Sequence, residues 1–107
     1  MLRGPDQTRP DLVVRSVNVS VASAWEIEIK RALGKLEAPE ALEEALASLG
    51  ASVLPIRPAH AEALRALPLH HRDPFDRMLV AQARVESLVL VSPDPLLARY
   101  GITTVWA

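Results

Sequence analysis

Four acidic residues stand where helices begin: Glu26, Asp73, Asp76 and Asp94. Carboxylates brought together repel one another and raise each other's pKa. A divalent cation relieves that repulsion, and an all-oxygen acidic cluster suits Mg²⁺ or Mn²⁺. Beside a phosphodiester, such ions activate water and stabilise the attacking and leaving oxygens. Each acid also has a plainer use. Ser23 with Glu26 spells a capping box, and Asp73 and Asp94 each precede a proline as helix caps do. Both uses stay open on spacing alone. His70 and His71 are adjacent, so they cannot share one helical face; as loop residues they touch a phosphate or nothing. No glycine-rich phosphate loop, Ser-His-Asp arrangement or zinc spacing competes with the acids.

The acids are only as useful as the elements that carry them. Val17-x-Val19-x-Val21 alternates as a strand does. A helix opening at Ser23 follows, with Trp25, Ile29, Ala32, Leu33 and Leu36 as its core stripe and Glu26 on the flank. Ile27 falls on the opposite face and marks a candidate partner surface. Pro39 opens a second helix with Leu42, Ala45, Leu46 and Leu49 inward and Glu40, Glu43 and Glu44 solvated. Val53-Leu54-Pro55-Ile56 reads as a strand, and its proline puts it at a sheet edge. Pro58 starts a helix with Leu64 and Leu67 inward and His60 packed at the border. The central helix runs from Pro74 to Glu86 or Ser87, capped by Asp73 and apolar on most sides. Leu88–Val91 is a strand covered on both faces, Pro95 starts a short helix ending at Tyr100-Gly101, and 103–106 is a last strand.

Strands separated by helices predict a parallel sheet flanked by helices, with all strand ends on one side. In such folds the working rim lies beyond the carboxyl ends of the strands, which is where Glu26, Asp76 and Asp94 fall.

Composition narrows the field further. The chain of 107 residues suffices for one domain and not two. Residues 1–14 read as a flexible N-terminal tail and 15–107 as the domain. A net charge of −1 gives no protein-wide electrostatic grip on nucleic acid, although local basic strips remain available. Cysteine is absent, which removes disulfide and thiolate chemistry and is compatible with a cytoplasmic protein. No apolar run reaches membrane-spanning length, so no membrane partner is expected.

Three stretches carry a family resemblance. Val19–Leu36, with Ser23-Ala24-Trp25-Glu26-Ile27, resembles the second strand and following helix of PIN-domain toxins of the VapC type. Leu67–Ala83, with His70-His71-Arg72-Asp73-Pro74-Phe75-Asp76-Arg77, resembles their acidic central motif, and Leu90–Pro95 resembles their late strand with its Asp. The matches keep family order over roughly residues 17–107. The resemblance implies an α/β, PIN-like three-layer fold. It implies a Mg²⁺- or Mn²⁺-dependent endoribonuclease acting on RNA, held by a cognate antitoxin and often a homodimer. Carried over by position, Glu26, Asp76 and Asp94 are the catalytic and metal-binding acids, and Asp73 is an auxiliary acid.

The sequence departs from the family at one point. Members open with an apolar strand that ends in a metal-ligating Asp and lies in mid-sheet, whereas Asp6 and Asp11 here precede apolar residues. The chain therefore reads as if it starts after that first central strand. An upstream start or a decayed copy is the expectation, with little Mg²⁺-dependent cleavage by the residues as written. The alternative reading is a non-catalytic PIN remnant that binds antitoxin or dimerises. A phosphoacceptor or nucleotide-binding domain is a third, and it needs first-strand chemistry that is also missing.

Overall fold

After residues 17–20 and again after residues 89–91, a short polar side chain takes a free amide of the helix that follows. The computed structural model describes residues 2–3 and 17–105. Its elements are β1 (Leu2–Arg3), β2 (Val17–Ser20), α1 (Val21–Ala32), α2 (Leu42–Ser48), β3 (Ala51–Leu54), α3 (Pro58–Arg65) and α4 (Pro74–Glu86). They continue with β4 (Val89–Val91), a 3₁₀ helix (Pro95–Tyr100) and β5 (Thr104–Val105). Ser20 ends β2 and caps α1, its Oγ accepting from the Ala22 amide at 3.0 Å. The expected Ser23–Glu26 capping box is therefore corrected. The helix starts before Ser23, because Ser20 already supplies the acceptor, and Glu26 lies beyond the first turn. α2 likewise starts later than Pro39, and β3 ends at Leu54, ahead of Pro55, which has no ladder donor.

The sheet runs in the order β3-β2-β1-β4-β5. β2 pairs with β3 and β4 with β5 in parallel, and the proline-terminated β3 takes an edge as expected. β1 is antiparallel to both of its neighbours, with Leu2 opposite Asn18 on one side and Leu90 on the other. Two expectations change here. The sheet is not all parallel, and its centre is filled by Leu2–Arg3 from the segment read as a tail. The inner edges of β2 and β4 present backbone groups that need partners. Leu2 meets that need and is fully buried. The remainder of the expected tail, residues 1 and 4–14, lies outside the described residues.

α4 is the core helix. Leu79, Val80, Ala81 and Ala83 are buried and pack in one cluster with Leu2, Leu67, Leu90, Leu97 and Tyr100. Asp73 caps it as its sequence suggests, with Oδ1 accepting from the amides of Phe75 at 2.8 Å and Asp76 at 3.3 Å. His60 is packed and fully buried, as expected. The reading of α1 is overturned. Its apolar stripe faces outward, with Trp25 60%, Ile29 39%, Leu33 63% and Leu36 41% exposed. Ala22 is the buried residue of the helix, and Ile27 is half-buried rather than exposed. Leu49, placed inward on α2, is also exposed.

β1 is antiparallel to both neighbours, so β2 and β4 run in the same direction. Their carboxyl ends share one rim with the start of α4, and that rim carries the acids.

Candidate functional site

Asp94 follows β4 and divides its two oxygens. Oδ1 accepts from the Leu96 amide at 2.9 Å, capping the 3₁₀ helix. Oδ2 stands 2.7 Å from His71 Nε2. The cap and the site residue are thus one side chain. The Leu96 amide leads in holding the Asp94 carboxyl below the usual carboxylate range; burial opposes it, and the His71 imidazole adds to the lowering. Asp76 sits in the first turn of α4, its Oδ2 3.5 Å from the same His71 Nε2. Burial pushes its carboxyl up, and the charges of Asp73, Glu26 and Asp94 add to the rise while His71 opposes it.

His71, Asp76 and Asp94 each offer one ligand atom, and these atoms lie within 4.8 Å of one another. Of the acids proposed from sequence, Asp76 and Asp94 come together. Glu26 remains outside this tight group. It is close enough to act on Asp76 electrostatically, and Lys30 Nζ lies 3.6 Å from its Oε2. The T-shaped contact of Trp25 with Phe75, 5.1 Å between centroids, pins the Glu26 turn of α1 beside the first turn of α4. Asp73 spends its side chain on the cap, and its amide donates to His71 Nδ1 at 3.0 Å.

Sequence reasoning left His71 as a loop residue touching a phosphate or nothing, whereas its ring meets Asp94 and Asp76, and it passed over Tyr100. Tyr100 is buried, and its hydroxyl oxygen accepts from the amides of His70 at 3.1 Å and His71 at 2.9 Å and from Arg77 at 3.2 Å. That one oxygen holds the loop that presents His71. A signal for His71 did exist, since a ring two residues before an N-cap can accept the cap's own amide.

The residues suit a hard dication. Two carboxylates converge in a partly buried place, and burial and then its charged neighbours disfavour the ionisation of Asp76. A family comparison bears on the same point, because a model of the PIN domain matches residues 10–102.

The chain belongs to the PIN-domain family.

PIN domains are nuclease-like in general and typically depend on divalent metals, in keeping with the acid rim at Asp76 and Asp94. No curated protein matches this PIN domain significantly. Among its described residues no helix is long and apolar enough to cross a membrane.

Proposed function

We propose that this PIN domain is a Mg²⁺- or Mn²⁺-dependent endoribonuclease, the toxin of a toxin–antitoxin pair acting in the cytoplasm. The observation that carries this reading is the meeting of Asp76 and Asp94, whose oxygens lie within 4.8 Å of one another at the rim of a nuclease-like fold. A bound dication would supply a water acidified for attack on a phosphodiester. Asp76 and the Oδ2 of Asp94 would hold it, and Glu26 adds negative charge from α1. Asp73 keeps the first turn of α4 in place. Sparse oxygen donors bind Mg²⁺ weakly, so cation binding near millimolar concentration and slow turnover are expected.

The test is cleavage of RNA by the chain with and without Mg²⁺ or Mn²⁺. Cleavage that a chelator stops and that Asp76→Asn loses is the expected result. Cleavage that survives either treatment overturns the assignment.

The α1 stripe supports a second role on the same chain. Trp25, Phe75, Met78, Leu64 and Ile56 border an apolar cleft of ≈ 210 Å³ that reaches the first turn of α4. An apolar segment of the cognate antitoxin seated there would lie one residue from Asp76 and shield the acid rim. If no cation binds and no RNA is cut, antitoxin binding or dimerisation through this face is the function that remains. Co-purification with the antitoxin, lost in Trp25→Asp, is the outcome expected. Sedimentation separates that from self-association.

A further inference from the structure

The distances at the acid rim do not by themselves give His71 its role. A nitrogen 2.7 and 3.5 Å from two carboxylate oxygens can be a fellow ligand of a cation or a donor to those oxygens. The other side of the ring decides. His71 Nδ1 lies 3.0 Å from the Asp73 backbone nitrogen, an N–H that can only donate. Nδ1 therefore presents its lone pair, and the proton of a neutral imidazole sits on Nε2. A metal-bound histidine shows the reverse arrangement, with its free ring nitrogen donating to a carbonyl, carboxylate or water. Turning His71 into a ligand would put an N–H on Nδ1 facing the Asp73 N–H. The ring has little freedom to escape, because the His71 amide is tied to Tyr100 while Nδ1 is tied to Asp73.

We propose that His71 is a placeholder for the cation and not one of its ligands. Its Nε2–H lies against Asp94 Oδ2 and near Asp76 Oδ2, holding the two acids side by side until a dication takes Asp94 Oδ2 from it. This deepens the metal-dependent reading above and rests on it. It has two consequences. The cation's protein donors are oxygens, so the imidazole contributes no preference for softer metals. Cation binding also competes with a hydrogen bond internal to the protein, so His71 weakens affinity rather than supplying it.

Three measurements test the proposal. Long-range ¹H–¹⁵N correlation on histidine-labelled, metal-free protein at pH 8 reads the tautomer directly, and the Nε2–H form is expected for His71. An Nδ1–H or doubly protonated ring overturns the proposal. Pulsed EPR on the wild-type chain loaded with Mn²⁺ should show no directly bonded ¹⁴N, and a bonded ¹⁴N overturns it. Mn²⁺ titration should show His71→Ala binding at least as tightly as wild type, and a loss of roughly tenfold or more overturns it, since even outer-shell partners of true ligands cost about that much. The wild-type measurements stand if the variant does not fold. If neither protein takes Mn²⁺, the metal-dependent reading fails, while the tautomer still decides whether His71 is a donor.

Discussion

His60 and His71 are mounted alike. Each ring accepts a backbone amide at Nδ1, from Arg57 at 2.9 Å and from Asp73 at 3.0 Å, and each turns Nε2 towards a carboxylate. They differ in what lies beyond. Glu86, 3.1 Å from His60, is also paired with Arg57, and that guanidinium leads in holding its carboxyl below the usual range. The charges there close on themselves. At His71 one imidazole meets two carboxylates, and burial first, with the charges of Asp73, Glu26 and Asp94 adding to it, pushes the Asp76 carboxyl up. The same ring geometry thus builds a closed structural cluster in one place and a surplus of negative charge in the other. The surplus marks a rim fit for a cation.

The largest expected effect separates the two on function. Asp76→Asn should weaken Mn²⁺ binding by at least about tenfold, since losing a direct ligand costs more than losing an outer-shell partner, and chelator-sensitive RNA cleavage should fall with it. Glu86→Gln should leave both unchanged. Equal losses in the two variants, measured by calorimetry and by RNA cleavage, break the comparison.

Stability should separate them in the opposite direction. His60 is fully buried between Arg57, Gln82 and Glu86, so His60→Ala leaves a cavity and unpartnered polar groups, at roughly 2–4 kcal/mol. His71→Ala should cost about 1 kcal/mol, the scale of an ordinary hydrogen bond. Urea denaturation of both variants gives the two values, and the reverse ranking would show that His71 is the structural ring.

Tyr100→Phe sharpens the point for the loop. It strips the acceptor from two amides and from Arg77, and should cost about 1–3 kcal/mol. Broadening of the His71 amide resonance should accompany the loss. An unchanged denaturation midpoint would mean that the loop is held some other way.

The smallest effect is a pH signature. The Asp94 carboxyl is depressed in the folded chain, so its contribution to stability is present above the ordinary carboxylate range and is lost as pH falls through the depressed value. The Asp76 carboxyl is raised, so its ionisation costs stability at neutral pH and the cost disappears as pH falls through the raised value. Metal-free Asp76→Asn should therefore melt above wild type at neutral pH, and Asp94→Asn should melt below it. On acidification the gap for Asp76→Asn should close at the higher pH. Thermal melts from neutral pH down to pH 3 check the order, and gaps of the same sign would contradict it.

Legibility in the sequence followed the range of the interactions. Asp73, Pro74 and Asp94 were readable because caps and first turns are decided within four residues, and the structure keeps them where the chain spells them. The stripe of α1 was readable as a period but not as a direction. The spacing of Trp25, Ile29 and Leu33 fixes a face, while neighbours far along the chain decide whether that face is covered. β1 was invisible for a related reason. Two residues hold no period, and only the edges of β2 and β4 make them a strand. Within the site, the meeting of Asp76 with Asp94 followed from strand order. His71 did not, because the nearby Asp73 amide fixes only its ring, while the Tyr100 hydroxyl that holds its backbone lies far along the chain.

The two-residue stitch at the centre of the sheet also sets a timetable. Leu2 must pair with Leu90, so that pairing waits until β4 has been made. The β2–β3 leaf can close early, but its inner edge stays open through most of synthesis. The β4–β5 leaf is made after the β2–β3 leaf, and Leu2–Arg3 joins the two. The acid rim is therefore complete only after residues far apart in the chain have met, when β2 and β4 are drawn to either side of the same short strand.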